Sequence, residues 1–149
     1  MSIPSMTYTD LGTPNPNWFG SRITDGKLLL PGGVYLDLTS FSVAPYLVGG
    51  KVLVPSGTLI ARTVADRVSN KGWQPLTETL ATTAIAALPT YEVSILYQDL
   101  TDVAANWHGD GVQPRAGNII YENFLPNLPL GANQLAILRS LFTCILGNP

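Results

Sequence analysis

Glycine and proline cut this chain into short extended stretches, and three of them set what it can fold into: Pro55-Ser-Gly-Thr-Leu-Ile-Ala-Arg62, Glu92-Val-Ser-Ile-Leu-Tyr-Gln-Asp99 and Ala116-Gly-Asn-Ile-Ile-Tyr-Glu-Asn-Phe-Leu-Pro126. Their apolar runs are too short for amphipathic helices and are bounded by turn residues, which is the pattern of half-buried strands. In the second, Val93, Ile95 and Tyr97 alternate with Ser94 and Gln98; in the third, Ile119 and Tyr121 take one face and Ile120 and Glu122 the other. Upstream, Leu28–Leu30 and Val34–Leu38 flank Pro31-Gly-Gly33, while Lys51–Val54 and Thr58–Arg62 flank Pro55-Ser-Gly57. Each set reads as two strands around a tight turn. Strands so closely spaced predict a mainly β chain, an antiparallel β-sandwich or small β-barrel.

The two ends depart from this pattern. Residues 1–20 hold Pro4, Pro14 and Pro16 among Tyr8, Trp18 and Phe19, a mixture that resists helix and favours extended backbone. It predicts an extended N-terminal arm ahead of a single β-rich domain spanning 21–149. Aromatic side chains on such an arm are costly to leave in water, so Tyr8, Trp18 and Phe19 are candidate partner-binding residues. At the other end Asn133 can cap one C-terminal helix through Leu135, Leu138, Leu141, Phe142 and Ile145, with Gly147 and Pro149 ending it. Leu135, Leu138 and Phe142 are the candidate face for packing subunits. Thr77 to Leu88 has partial helical spacing diluted by threonine, and the sequence leaves helix and irregular excursion both open.

Charged residues make up 12% of the chain, about half the share usual in soluble domains. Much of its surface is therefore uncharged, and burial against copies of itself or a partner is the expected resolution. The net charge is −2 and the eight Lys and Arg are scattered, so no basic stripe exists for nucleic acid. The single cysteine, Cys144, excludes an internal disulfide. No run approaches the about 18 apolar residues of a membrane span, and no signal-peptide pattern opens the chain. The expectation is a soluble protein made in a cytoplasm.

Asp99, Asp102, His108 and Asp110 gather three carboxylates and the sole imidazole, chemistry that could hold a divalent metal or tune a base. Their spacing matches no defined metal loop, and Asp99, Asp102 and Asp110-Gly111 are better explained as turn residues. Cys144 lies on the apolar C-terminal segment, where a thiol acts as a small hydrophobe. Ser56 lacks the glycine spacing of a nucleophile elbow and reads as a turn. Trp73 and Trp107 could stack on sugars, against the plainer role of covering the open end of a sandwich. No catalytic, cofactor or metal site is expected.

Taken in order, Gly57-Thr-Leu-Ile-Ala-Arg62, Trp73, Val93-Ser-Ile-Leu-Tyr-Gln-Asp99 and Arg115-Ala-Gly117 before Asn118-Ile-Ile-Tyr121 resemble the head decoration or capsid cement proteins of tailed phages. The resemblance covers roughly Lys51 to Phe142 and rests on hydrophobic-turn patterns; the longer N-terminal half and Thr77 to Leu88 depart from the shortest members. It implies a homo-oligomeric virion protein without enzymatic activity, commonly a trimer with a dimer as the alternative. Such a protein binds the major capsid protein on the capsid exterior through noncovalent contacts and stabilises the assembled shell, an N-terminal arm often pairing with a capsid strand. The competing reading is a glycan-binding β-sandwich of a phage tail or fibre, using Trp73 and Trp107.

Overall fold

The structure is a computed structural model that describes residues 17–20, 35–97, 99–101, 114 and 117–146. About a third of these are helical, and the strands lie in open sheets. The fold is mixed α/β, which corrects the expectation of a mainly β sandwich or barrel.

The centre is one bent antiparallel ribbon. Strands β2 (Lys51–Val54) and β3 (Leu59–Thr63) run against β5 (Tyr91–Ile95) and β6 (Leu100–Thr101). Leu59 pairs with Ile95 and Val54 with Leu100, five residues back on one strand and five onward on the other, so the two ladders keep the same register on either side of the bend. The expected hairpin of Lys51–Val54 with Thr58–Arg62 is therefore not formed. Pro55-Ser-Gly57 turns the chain from one half-sheet into the other instead of folding it back. At the bend the Gly57 N–H donates to the Leu96 carbonyl at 2.7 Å and the Leu96 N–H to the Thr58 carbonyl at 2.9 Å. Backbone groups that a turn would otherwise orphan are thus paired.

Each half of the ribbon gains one more strand. β1 (Leu47–Val48) pairs with β2 through a Gly49-Gly50 hairpin, and β4 (Gln74–Pro75) pairs with β3. The β4-β3-β5 half is covered on both faces: Leu59, Ala61 and Ile95 enter one apolar cluster, Ile60 and Leu96 the other. Ser94, which alternation would turn to water, is buried because it stands opposite Ile60 on the second face.

Leu36 forms a parallel bridge with Trp73, but Asp37 ends the extended run by accepting from the Thr39 N–H and the Ser40 hydroxyl. The one-turn helix α1 (Leu38–Phe41) follows, so Leu38 is not on a strand as its spacing suggested. Leu28–Leu30 and Pro31-Gly-Gly33 lie outside the described residues. Thr63 caps the short α2 (Val64–Val68), its hydroxyl accepting from the Asp66 N–H. The segment left open resolves as helix: Thr77 caps α3 (Glu78–Ala84), and a 3-10 turn over Ile85–Thr90 leads into β5. Ala81 and Ala84 are the residues α3 buries, small enough for close approach to α4 (Ala132–Leu141).

That last helix starts and stops elsewhere than its spacing suggests. Gly131, not Asn133, is its N-cap, and it ends at Leu141 where Phe142 turns extended. Thr143–Ile145 then form β8, parallel to β7 (Ile119–Tyr121). Ile145 fits the helical spacing, yet a pairing partner was within reach and the β-branched Thr143 and Ile145 suit a strand.

Candidate functional site

Trp18 and Phe19 are 2% and 5% exposed, and they sit in the chain's own core. Phe19 bridges Ile120 of β7, the Gly20 N–H donates to the Ile119 carbonyl at 2.8 Å, and the Tyr121 N–H to the Trp18 carbonyl at 2.7 Å. With Tyr97 the two rings form three edge-to-face pairs at 5.4 to 6.0 Å. Residues 17–20 thus belong to the folded body, and these two side chains are not presented to a partner. For Trp18 and Phe19 the burial expected from a partner is supplied by this chain itself. Tyr8 lies outside the described residues.

The candidate helix face meets the same outcome. Leu138 and Phe142 are buried in the cluster that holds Trp18, and Leu135 is half-buried. α4 therefore spends most of its apolar face on the body of the protein.

Ser56 stands at the ribbon's bend in a closed hydrogen-bond set. Its hydroxyl donates to the Tyr97 carbonyl at 2.6 Å and accepts the Trp18 indole N–H at 2.9 Å, while its own N–H donates to Asp99 Oδ1 at 2.6 Å. Asp99 caps a turn, though of the 55–58 segment across the ribbon. The serine hydroxyl's proton is committed to a carbonyl, and its oxygen holds the Trp18 indole in place. Gly57 completes the arrangement: its φ of 92° suits glycine, and a Cβ there would stand 2.9 Å from the Trp18 indole nitrogen.

Asp102, Trp107, His108 and Asp110 lie outside the described residues. Among the described residues no group of three or more His, Cys, Asp or Glu could hold a metal ion, and no helix is long and apolar enough to cross a membrane. Trp73 is 4% exposed with the Arg62 guanidinium over its ring at 4.6 Å. Its faces are occupied, so it offers no platform for a sugar. Arg62 also donates to Glu92 at 3.0 Å, and Arg67 reaches the other Glu92 oxygen at 3.4 Å.

Two carboxylates act at the ends of α4, and neither was singled out from the sequence. Glu122 is nearly buried and takes Nε and a terminal nitrogen of Arg139 at 2.7 and 2.8 Å. Those bonds hold its carboxyl below the usual range, against burial that would raise it. The neighbouring Cys144 thiol is pushed up to about 12, first by burial and then by the Glu122 charge, which makes it unreactive. At the opposite end Glu78 of α3 accepts from the Asn133 N–H at 3.2 Å, the Asn133 amide at 3.0 Å and the Gln134 N–H at 3.0 Å. A glycine N-cap has no side chain to offer, and Glu78 supplies the missing acceptor from another helix.

Among the described residues one apolar surface left open to water is that of the β1–β2 hairpin. Val48 is 64% and Leu53 45% exposed, with Val43 and Leu47 also in water. Lys51 and Leu53 point outward along β2 while Val52 and Val54 point into the core, and Val48 stands opposite Lys51. A signal was present: Val52-Leu-Val54 is apolar at consecutive positions, so in a strand Leu53 takes the face opposite to Val52 and Val54 and stays in water unless a second layer covers it. A cleft of about 20 Å³ near Tyr46, Asn127 and Gln134 has room for about one water, far short of a substrate.

No family model, no curated protein and no solved structure matches this chain.

Proposed function

We propose that this chain is a structural virion protein, a decoration or cement protein that binds the outside of an assembled phage capsid through noncovalent contacts and stabilises it. The observation that carries the reading is the apolar outer side of the β1–β2 hairpin, where Val48 and Leu53 lie open to water in a chain with only 12% charged residues. Exposed apolar side chains on one face of a hairpin, here around Lys51, are where a partner gains burial energy. The resemblance of residues 51 to 142 to decoration proteins supplies the class of partner, the major capsid protein, and favours a trimer. Binding only the assembled shell stabilises it by mass action, and many weak contacts per particle add together.

With Trp18, Phe19, Leu138 and Phe142 committed to the core, the contact surface shifts to the hairpin and to the segment carrying Tyr8. The test uses particles made with the wild-type chain, with a deletion of residues 1–16, and with Val48→Asp plus Leu53→Asp. The cut falls before residue 17 so that the core aromatics are kept. Both variants should fold, and the hairpin variant should lose most of its copies per particle by gel densitometry. Full occupancy by the hairpin variant would overturn the reading. Native mass of the purified wild type is expected to be that of a trimer, and a monomer at micromolar concentration would remove the oligomer from it.

A further inference from the structure

We propose that α4 and β8 form an acid-releasable latch, a C-terminal unit pinned at each end by one carboxylate that opens as a body before the central ribbon does. The inference is independent of the capsid reading.

At its N-terminal end α4 has no capping side chain of its own, because Gly131 occupies the cap. The Glu78 carboxylate fills that place so closely that a Cβ on residue 131 would collide with it. Both of its oxygens are used, on Asn133 and Gln134, and the Asn133 amide also reaches the Thr82 hydroxyl at 3.2 Å. Gln134 adds a second tie by donating to the Leu76 carbonyl at 2.6 Å. At the C-terminal end the Glu122 carboxylate holds Arg139.

The charged and titratable groups around these carboxylates are few. Among the described residues Glu78 has no cation within ion-pair reach and meets only amides, backbone N–H groups and the positive end of α4. Glu122 meets Arg139 and Cys144. Each carboxyl therefore accepts where it must remain unprotonated to do so fully, and each sits below its ordinary value for that reason, Glu78 mainly through the Gln134 N–H. The sign follows: the hold is complete above the ordinary carboxylate value of 4.5 and is lost as pH falls through the lower folded value. What opening releases is Leu138, Phe142 and the β8 pairing to β7.

Hydrogen exchange of the full chain, corrected for the intrinsic chemical rate, tests this between about pH 6 and about pH 3. Amides of α4 and β8 should open more readily than those of β3 and β5 throughout, and increasingly so on acidification. Glu78→Gln should raise α4 opening roughly fivefold at the upper pH, the scale of a lost helix cap, and should flatten the acid response. Gly131→Ala, which displaces the carboxylate without changing its chemistry, should give the same rise. Exchange of α4 in step with β3 and β5 in the wild type would overturn the proposal even if the variants failed to fold. An unaltered acid response in Glu78→Gln would overturn it too.

Discussion

The two halves of the bent ribbon share one register and one chain segment each way, yet they finish differently. The β3–β5 half is covered on both faces, by the cluster containing Trp18 and Ile137 and by the one containing Trp73 and Phe41. The β2–β6 half buries Val52 and Val54 and leaves Leu53 outside. Strand-forming sequence is the same in kind on both sides of the bend, so pairing does not decide which half is complete. What decides it is the supply of covering elements: α3, α4 and residues 17–20 all pack on the first half. A half-sheet with an uncovered apolar side is where an added surface gains most.

The heaviest blow to this contrast is Trp18→Ala. The side chain lies against Gly57 at the bend, packs edge-to-face on Phe19 and Tyr97 and donates its N–H to Ser56. Its loss should cost about 3–5 kcal/mol, read from the midpoint of denaturant unfolding. A loss under about 0.5 kcal/mol, the range of surface substitutions, would show that residues 17–20 are not part of the covered half.

A smaller, pH-dependent effect is expected at Arg139→Gln. With its cation gone, Glu122 is left in a buried place that favours the protonated acid, so stability should fall most at neutral pH. Wild-type stability from the pair is present in full above the ordinary value of 4.5 and fades below it, and the variant should lack that acid-induced drop. Thermal unfolding from about pH 7 to about pH 3 measures this, and parallel curves for the two proteins would contradict it.

How much of this was legible in the residues follows from the range over which each force acts. Alternation located β5 and β7, because the period of a strand is local. It could not say that β2 and β3 continue one another, since Pro55-Ser-Gly57 is compatible with a hairpin and with a bend; the choice is made by Leu96 and Asp99, some forty residues onward. Trp18 and Phe19 were legible as aromatics that must be buried. Whether a partner or Ile120 does the burying is a tertiary fact. The cap of α4 was misplaced at Asn133 for the same reason: its acceptor, Glu78, arrives from another helix 55 residues away. Leu141 and Ile145 both fit one helical stripe, and only the parallel partner β7 divides them into helix and strand.

The finest test of the contrast uses two adjacent residues of β2. Val54 is fully buried and Leu53 is not, although they are neighbours in a strand of four. Val54→Thr keeps the shape but puts a hydroxyl into the core beside Phe41 and Tyr46, and should cost about 1–3 kcal/mol. Leu53→Thr removes more apolar surface, yet from a side already in water, so the isolated chain should change by no more than about 0.5 kcal/mol. The order reverses when the partner surface is present: Leu53→Thr should then weaken association more than Val54→Thr does. If Leu53→Thr destabilises the monomer as much as Val54→Thr, the outer side of the hairpin is already covered within the chain, and the reason for assigning it a partner disappears.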